Sequence, residues 1–234
     1  MSQEFIIQKW SVWPPIDKEV DEQSILQERL ATLPRLLKRR LSPLARIVFS
    51  AAIPCLGDNK QMPSVFSSTH GELAKSFAMM EMIEAGEDIS PTAFSLSVHN
   101  AIAGLFSIAF KNNTESTVVA PGEEGIAAAF IEAAGLLQQG AEQVLIVLYD
   151  EPLLGFYPTT PFKLSVESSR AVALTLSKTG QGMVVRFSSQ QSMGDQGDQG
   201  EQPLQIPLLI QFLAHKQTQL QIQNARHSWC WEKL

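Results

Sequence analysis

The sequence predicts an α/β fold, a mixed sheet carrying both buried and outer helices, and three stretches predict it. Phe94 to Phe110 is apolar on almost every face, interrupted by Ser95, Ser97, His99, Asn100 and Ser107. Ile126 to Leu137 repeats the pattern with Glu132 as its charge. A helix apolar all round belongs in a large core or a membrane. The first stretch approaches the ~18 residues of a membrane span, but His99 and Asn100 at its centre point to a protein interior. Val144 to Tyr149 is a continuous apolar run of strand length, the pattern of a parallel strand covered on both faces. Helices this apolar beside such strands suggest helices sandwiched between sheets.

The remaining elements follow in order. Phe5 to Trp13 alternates loosely and stops at Pro14-Pro15, which predicts a first strand. Asp21 to Leu30 has early carboxylates and an Ile/Leu stripe, the pattern of a short amphipathic helix. Arg35, Lys38, Arg39 and Arg40 then form a basic knot, ordinarily a solvated face, ahead of a more apolar helix that buries Cys55. Ser64 to Thr69 reads as a strand and Glu72 to Ala85 as a helix. That helix carries Phe77, Met79, Met80, Met82 and Ile83, which core packing would explain. Ser116 to Ala120 reads as another strand, and DEPLLGFYPTTPF as a long connection.

Ser168 to Lys178 and Gly182 to Ser189 are strand-like and predict a hairpin turning at Thr179-Gly180-Gln181. The GDQ repeats that follow predict an exposed flexible loop. Leu204 to Lys216 then predicts a helix, Gln219 to Gln223 a strand, and Trp229 and Trp231 a tail tucked into a groove. The expected division is one domain over 1–189, a loop over 190–203, and a helix-and-strand appendage over 204–234 packing on the same domain.

Composition narrows the function classes. The 234 residues suffice for one sizeable core, and 44% are hydrophobic and 18% charged. A net charge of −6 argues against nucleic acid, whose phosphates demand a basic footprint, and weakens any simple electrostatic attraction to an acidic carrier protein. Cys55 and Cys230 make no disulfide framework, and MSQEFIIQKW has no signal-peptide pattern, so a cytoplasmic protein without a membrane span is expected. No metal spacing links the four histidines, and there is no G-x-S-x-G and no glycine-rich phosphate loop. No metal and no cofactor are expected.

The order ISPTAFSLSVHNAIAGLFSIAF, then TVVAPGEEGIAAAFIEAAGLLQQGAEQVLIVLYDE, resembles the N-terminal half of the beta-ketoacyl synthases, of thiolase fold. The resemblance covers roughly Phe5 to Lys178, strongest from Ser90 to Glu151, and is nearest to the short stand-alone chain length factors of aryl polyene pigment clusters. Anchored on GAEQVLIVLYDE, it places the family's nucleophilic cysteine at Glu123. A working enzyme needs that thiolate at a helix N-terminus and two histidines from its second half. The resemblance implies that this half is absent here, and it places no catalytic histidine at His99, His215 or His227. The implied protein is a non-catalytic subunit that forms a heterodimer with a full-length beta-ketoacyl synthase.

In that reading Phe77, Met79, Met80 and Ile83 face the subunit interface and limit the tunnel for the growing chain. Thr117, Val118 and Val119 form the strand that pairs with its mate, and Arg35, Lys38, Arg39 and Arg40 dock an acyl carrier protein. Glu123 reads either as a helix-capping carboxylate, worth roughly 0.3–1 kcal/mol, or as a mimic of a substrate carboxyl. Glu124 takes its place if the alignment slips by one, and neither has a visible acid/base partner. Two alternatives stand beside this: a small independent enzyme, such as a decarboxylase using Glu123, or a non-catalytic scaffold that binds the carrier protein.

Overall fold

The computed structural model describes residues 2–17, 19–58, 60–153, 155, 166–191, 202–214, 217–224 and 226–234. Strand β1 (Ser2–Trp13) ends at Pro14, as its sequence demands. Helix α1 (Glu22–Arg29) is capped by the Asp21 carboxylate, which accepts from the Gln23 and Ser24 amides. A short α2 (Arg35–Lys38) leads to α3 (Pro43–Leu56), capped by Ser42 and begun by proline at its first position. Then come β2 (Ser64–Ser67), α4 (Leu73–Glu84), α5 (Pro91–Ser95), α6 (Ala101–Phe110) and β3 (Ser116–Val119). A 3-10 turn (Gly122–Glu124) precedes α7 (Ala127–Gln138) and β4 (Gln143–Asp150). The chain continues through β5 (Arg170–Ser177), β6 (Met183–Gln191), α8 (Gln202–Ala214), β7 (Gln219–Gln223) and β8 (His227–Lys233).

One eight-stranded sheet runs in the order β3-β2-β4-β5-β1-β6-β8-β7. β2 is parallel to both β3 and β4, and every pairing from β4 to β7 is antiparallel. Val144, Ile146 and Leu148 join the core beneath α7 and α8, while Leu145, Val147 and Tyr149 join the one beneath α3 and α6. Burial on both faces is why β4 is apolar without alternation. Its pairing corrects the expectation of a purely parallel strand, since one neighbour is antiparallel.

Three further expectations are corrected. The single helix over 94–110 is broken between α5 and α6, because the Ser97 carbonyl accepts from Ser76 Oγ at 2.9 Å and the His99 ring bonds the Ser68 carbonyl at 2.9 Å. Phe94 and Ile108 are exposed and Asn100 is no buried partner of His99. The predicted hairpin between β5 and β6 does not form, because β1 lies between them, with Ile6 opposite both Ser177 and Val184. The connection instead climbs over β1. Gly182 makes this possible at φ 155°, where a Cβ would collide with the Ile7 carbonyl oxygen. Finally, the Trp229/Trp231 tail is strand β8, bonded to β6 and β7. Trp229 stacks on Phe187 at 5.1 Å and Trp231 meets Phe130 at 5.3 Å. The GDQ repeats lie outside the described residues, with β6 reaching Gln191 and α8 starting at Gln202.

Candidate functional site

The turn between β3 and α7 is where the sequence resemblance places the lost nucleophile. Glu123 sits in the 3-10 turn, three residues ahead of Ile126 at the start of α7, and its side chain lies outside the described residues. Glu124 corrects the expectation that no partner is near. Its carboxylate meets His227 Nδ1 at 2.8 Å and accepts from Trp229 Nε1 at 2.7 Å, so the turn is tied to β8. The Ile126 amide donates to Gln205 Oε1 of α8 at 3.0 Å, and Gln205 Nε2 donates to Asn224 Oδ1 at 2.7 Å. Gln205 and Asn224 are both buried. None of these partners was visible in the sequence, because they come from 79 to 105 residues away.

A second polar cluster lies where β2 and β4 end and α4 begins. Buried Asp150 accepts from Ser68 Oγ at 2.8 Å, the Thr69 amide at 2.9 Å and the His70 amide at 3.3 Å. Glu72, also buried, accepts from Ser42 Oγ at 2.7 Å and pairs with Lys75 at 3.4 Å. Burial pushes Asp150 up to about 7 against the three donors that favour its ionised form. Burial also raises Glu151, with Glu72 adding to it, and raises the Tyr149 hydroxyl. A carboxyl raised from 3.8 to about 7 binds its proton more tightly in the folded chain than in the unfolded one. Its contribution is therefore full below the unfolded value and lost as pH rises towards about 7. Asp150→Asn is expected to flatten the fall in stability across that window, an effect of at most about 4 kcal/mol. Urea melts of both proteins at a series of pH values check it, and equal slopes would refute it.

The elements nominated from the sequence separate into three places. Helix α4 has no buried residue and packs mainly on α5, which corrects the core-packing reading of its apolar side chains. Met80 is 49% and Ile83 59% exposed, and Phe94 of α5 is 57% exposed beside them in the chain. Phe77 and Met79 are half-buried, and Met79 and Met82 line an apolar groove of about 260 Å³ with Ala78, Ala93 and Leu96. Thr117, Val118 and Val119 lie on β3, which among the described residues pairs only with β2 and forms one edge of the sheet. Arg35, Arg39 and Arg40 are exposed around Leu36, which is 75% exposed. Lys38 lines a notch of about 350 Å³ with Arg46, Leu26, Leu30 and Ala31. Of these three places, β3 runs directly into the turn at Glu123.

Buried Cys55, its thiol pushed up to about 12 by desolvation, donates to the Ala173 carbonyl at 3.4 Å and is a core residue. Among the described residues no cluster of three or more His, Cys, Asp or Glu is placed to hold a metal ion. No described helix is long and apolar enough to cross a membrane.

Among solved structures, a chain of the ketosynthase ApeO–chain length factor ApeC complex from Xenorhabdus doucetiae superposes with a TM-score of 0.78 at 23% identity. The match covers 98% of this chain and 99% of that one. A beta-ketoacyl synthase from Burkholderia phymatum STM815 gives 0.54 at 13% identity, over 83% of this chain and 66% of that one. A chain of the AntDE:AntF complex, a type II polyketide synthase acyl-carrier protein with its ketosynthase, gives 0.55 at 12% identity, over 81% and 69%. Among curated protein sequences, none matches. These likenesses show a thiolase-like ketosynthase fold. The family profile described as beta-ketoacyl synthase, N-terminal domain, matches residues 10–232, and the chain belongs to that family.

Proposed function

We propose that this chain is a non-catalytic subunit of the chain length factor type, which pairs with a full-length beta-ketoacyl synthase and shapes the far end of its acyl tunnel. The observation that carries the reading is α4. A helix holding Phe77, Met79, Met80, Met82 and Ile83 without one buried residue is an apolar surface awaiting a partner. The β3 edge offers main-chain groups for pairing on a second element. The near-equal length of the matching chain in the ApeO–ApeC complex supports the same assignment.

In the complex, Thr117, Val118 and Val119 pair with the partner's strand, and Met79 lines the apolar path with Phe77. Flexible thioether side chains suit a long, variable guest. Arg35, Lys38, Arg39 and Arg40 are the cations offered to an acyl carrier protein. The tie of Glu124 to His227 and Trp229 supports the absence of independent chemistry at the turn, since it leaves that carboxylate engaged on both oxygens. The pathway we propose is aryl polyene assembly, as the sequence resemblance implies.

Co-expression with a full-length beta-ketoacyl synthase from the same genome tests the proposal. The expected result is a one-to-one complex that condenses acyl chains only when both proteins are present. A monomer that ignores the ketosynthase would refute it.

A further inference from the structure

Between β2 and α6 the chain leaves the sheet, and what it carries there is α4 and α5. Neither helix has a buried residue. Leu96, just beyond α5, leans on the core, and the polar feet of the excursion, Ser68, Glu72 and Ser97, are buried. The two feet touch each other. The His99 ring bonds the Ser68 carbonyl, Ser76 Oγ donates to the Ser97 carbonyl, and a Cβ on Gly71, at φ 60°, would collide with the His99 ring. Ser68 Oγ accepts from the Gly71 amide at 2.7 Å and donates to Asp150, which also takes the Thr69 and His70 amides. On the other side of the joint, Glu72 accepts from Ser42 Oγ, the oxygen that caps α3. The two helices that expose Met80, Ile83 and Phe94 are thus seated on a buried polar joint.

We infer that α4 and α5 form an arm that opens and closes on this joint, and that Asp150 positions it, gripping the arm when protonated and releasing it when ionised. With the arm closed the carboxyl is 1% exposed, and opening returns it to water. Burial raises it from 3.8 to about 7, so the closed arm binds the proton more tightly than the open one. Closure is therefore strongest below 3.8, weakens as pH rises towards about 7, and changes no further once both states are ionised. The charged and titratable groups around Asp150 are Glu72 and Lys75 of α4, His70 and His99 at the feet, Tyr149 and Glu151 beside it in the chain, and Arg170 opposite on β5. Burial raises Tyr149, with Asp150 and Glu72 adding to it, and burial raises Glu151, with Glu72 adding to it. The carboxylates of the joint therefore repel one another once ionised, in the direction that opens it. The inference deepens the proposed function and rests on it for one consequence. A closed arm offers the ketosynthase a preformed surface, and an open one must be closed first.

Amide hydrogen exchange on the full-length chain tests the arm without any partner, read as protection factors, which divide out the intrinsic pH dependence of exchange. In the parent, the amides of α4 and α5 are expected to open together and to be on the order of tenfold or more less protected than those of Val144 to Leu148 in β4. Their protection is expected to fall about tenfold from pH 6 to pH 8. In Asp150→Asn, neutral at both pH values, that fall should vanish. Equal protection in α4 and β4 would overturn the inference, since the arm would then open only with the whole chain. So would an equal fall with pH in the parent and Asp150→Asn. His99→Phe keeps a ring against Gly71 and removes the bond to the Ser68 carbonyl. It should lower protection in α4 on the order of fivefold or more and leave β4 unchanged. A matching loss in β4 would also overturn the inference, a readout that remains if Asp150→Asn does not fold. A chain that binds no ketosynthase would refute the proposed function and leave the exchange result standing.

Discussion

Met80→Glu together with Ile83→Glu is expected to abolish ketosynthase binding while leaving the fold intact. Both side chains are about half exposed or more, at 49% and 59%, on a helix with no buried residue. Exposed substitutions of this kind change stability by roughly 0.5 kcal/mol or less, and glutamate matches methionine closely in helix propensity. In the proposed complex the same two positions would be desolvated. An anchor residue lost from an interface centre costs roughly 2 kcal/mol or more, so the pair removes about 4 kcal/mol, on the order of a thousandfold in Kd. The buried carboxylates add their own desolvation penalty. Titration calorimetry against the ketosynthase, with thermal melts of the isolated subunit, measures both quantities. Binding within threefold of the parent would show that α4 faces away from the partner.

The fold was legible in the sequence where burial is two-sided. β4 is apolar without a polar stripe because both its faces meet other elements, and the boundaries of β4 and α7 fell within a residue or two of those expected. Where long-range contacts decide, the sequence misleads. The stretch over 94–110 has the composition of one helix, but the Ser76 hydroxyl donates to the Ser97 carbonyl and the His99 ring bonds the Ser68 carbonyl, which divides it. Gly180 and Gly182 look like a hairpin turn, yet no local signal tells β5 and β6 that β1 will separate them. The last strand was legible and was missed: Ser228-Trp229-Cys230-Trp231-Glu232 alternates polar or small with aromatic at the period of a strand. For α4, an interface helix and a core helix share one composition, and only the fold shows that Met80 and Ile83 are left exposed on a helix with no buried residue. The candidate site was legible as a turn before an apolar helix. Its partners Gln205, Asn224 and His227 were not, since they reach it through tertiary structure.

Trp231→Ala is expected to lower the free energy of unfolding by ~3–5 kcal/mol, a fall of roughly 6–20 °C in Tm for a chain of this size. The indole is fully buried between the sheet and α7, with Phe130 edge-on at 5.3 Å and Phe187 at 5.0 Å. Removing it opens a cavity in the core that α7, α8 and the sheet share, and small interiors relax into such a space only in part. Trp231→Phe keeps most of the contact surface. It also deletes the indole N–H, a buried donor without a partner among the described residues, so its cost should stay near or below about 1.5 kcal/mol. A loss in Trp231→Ala no larger than in Trp231→Phe would mean that β8 frays from the body as an independent appendage. The expected large and cooperative loss means that β8 is part of the core, and that the latch from Glu124 to His227 and Trp229 hangs on a strand as rigid as the sheet it completes.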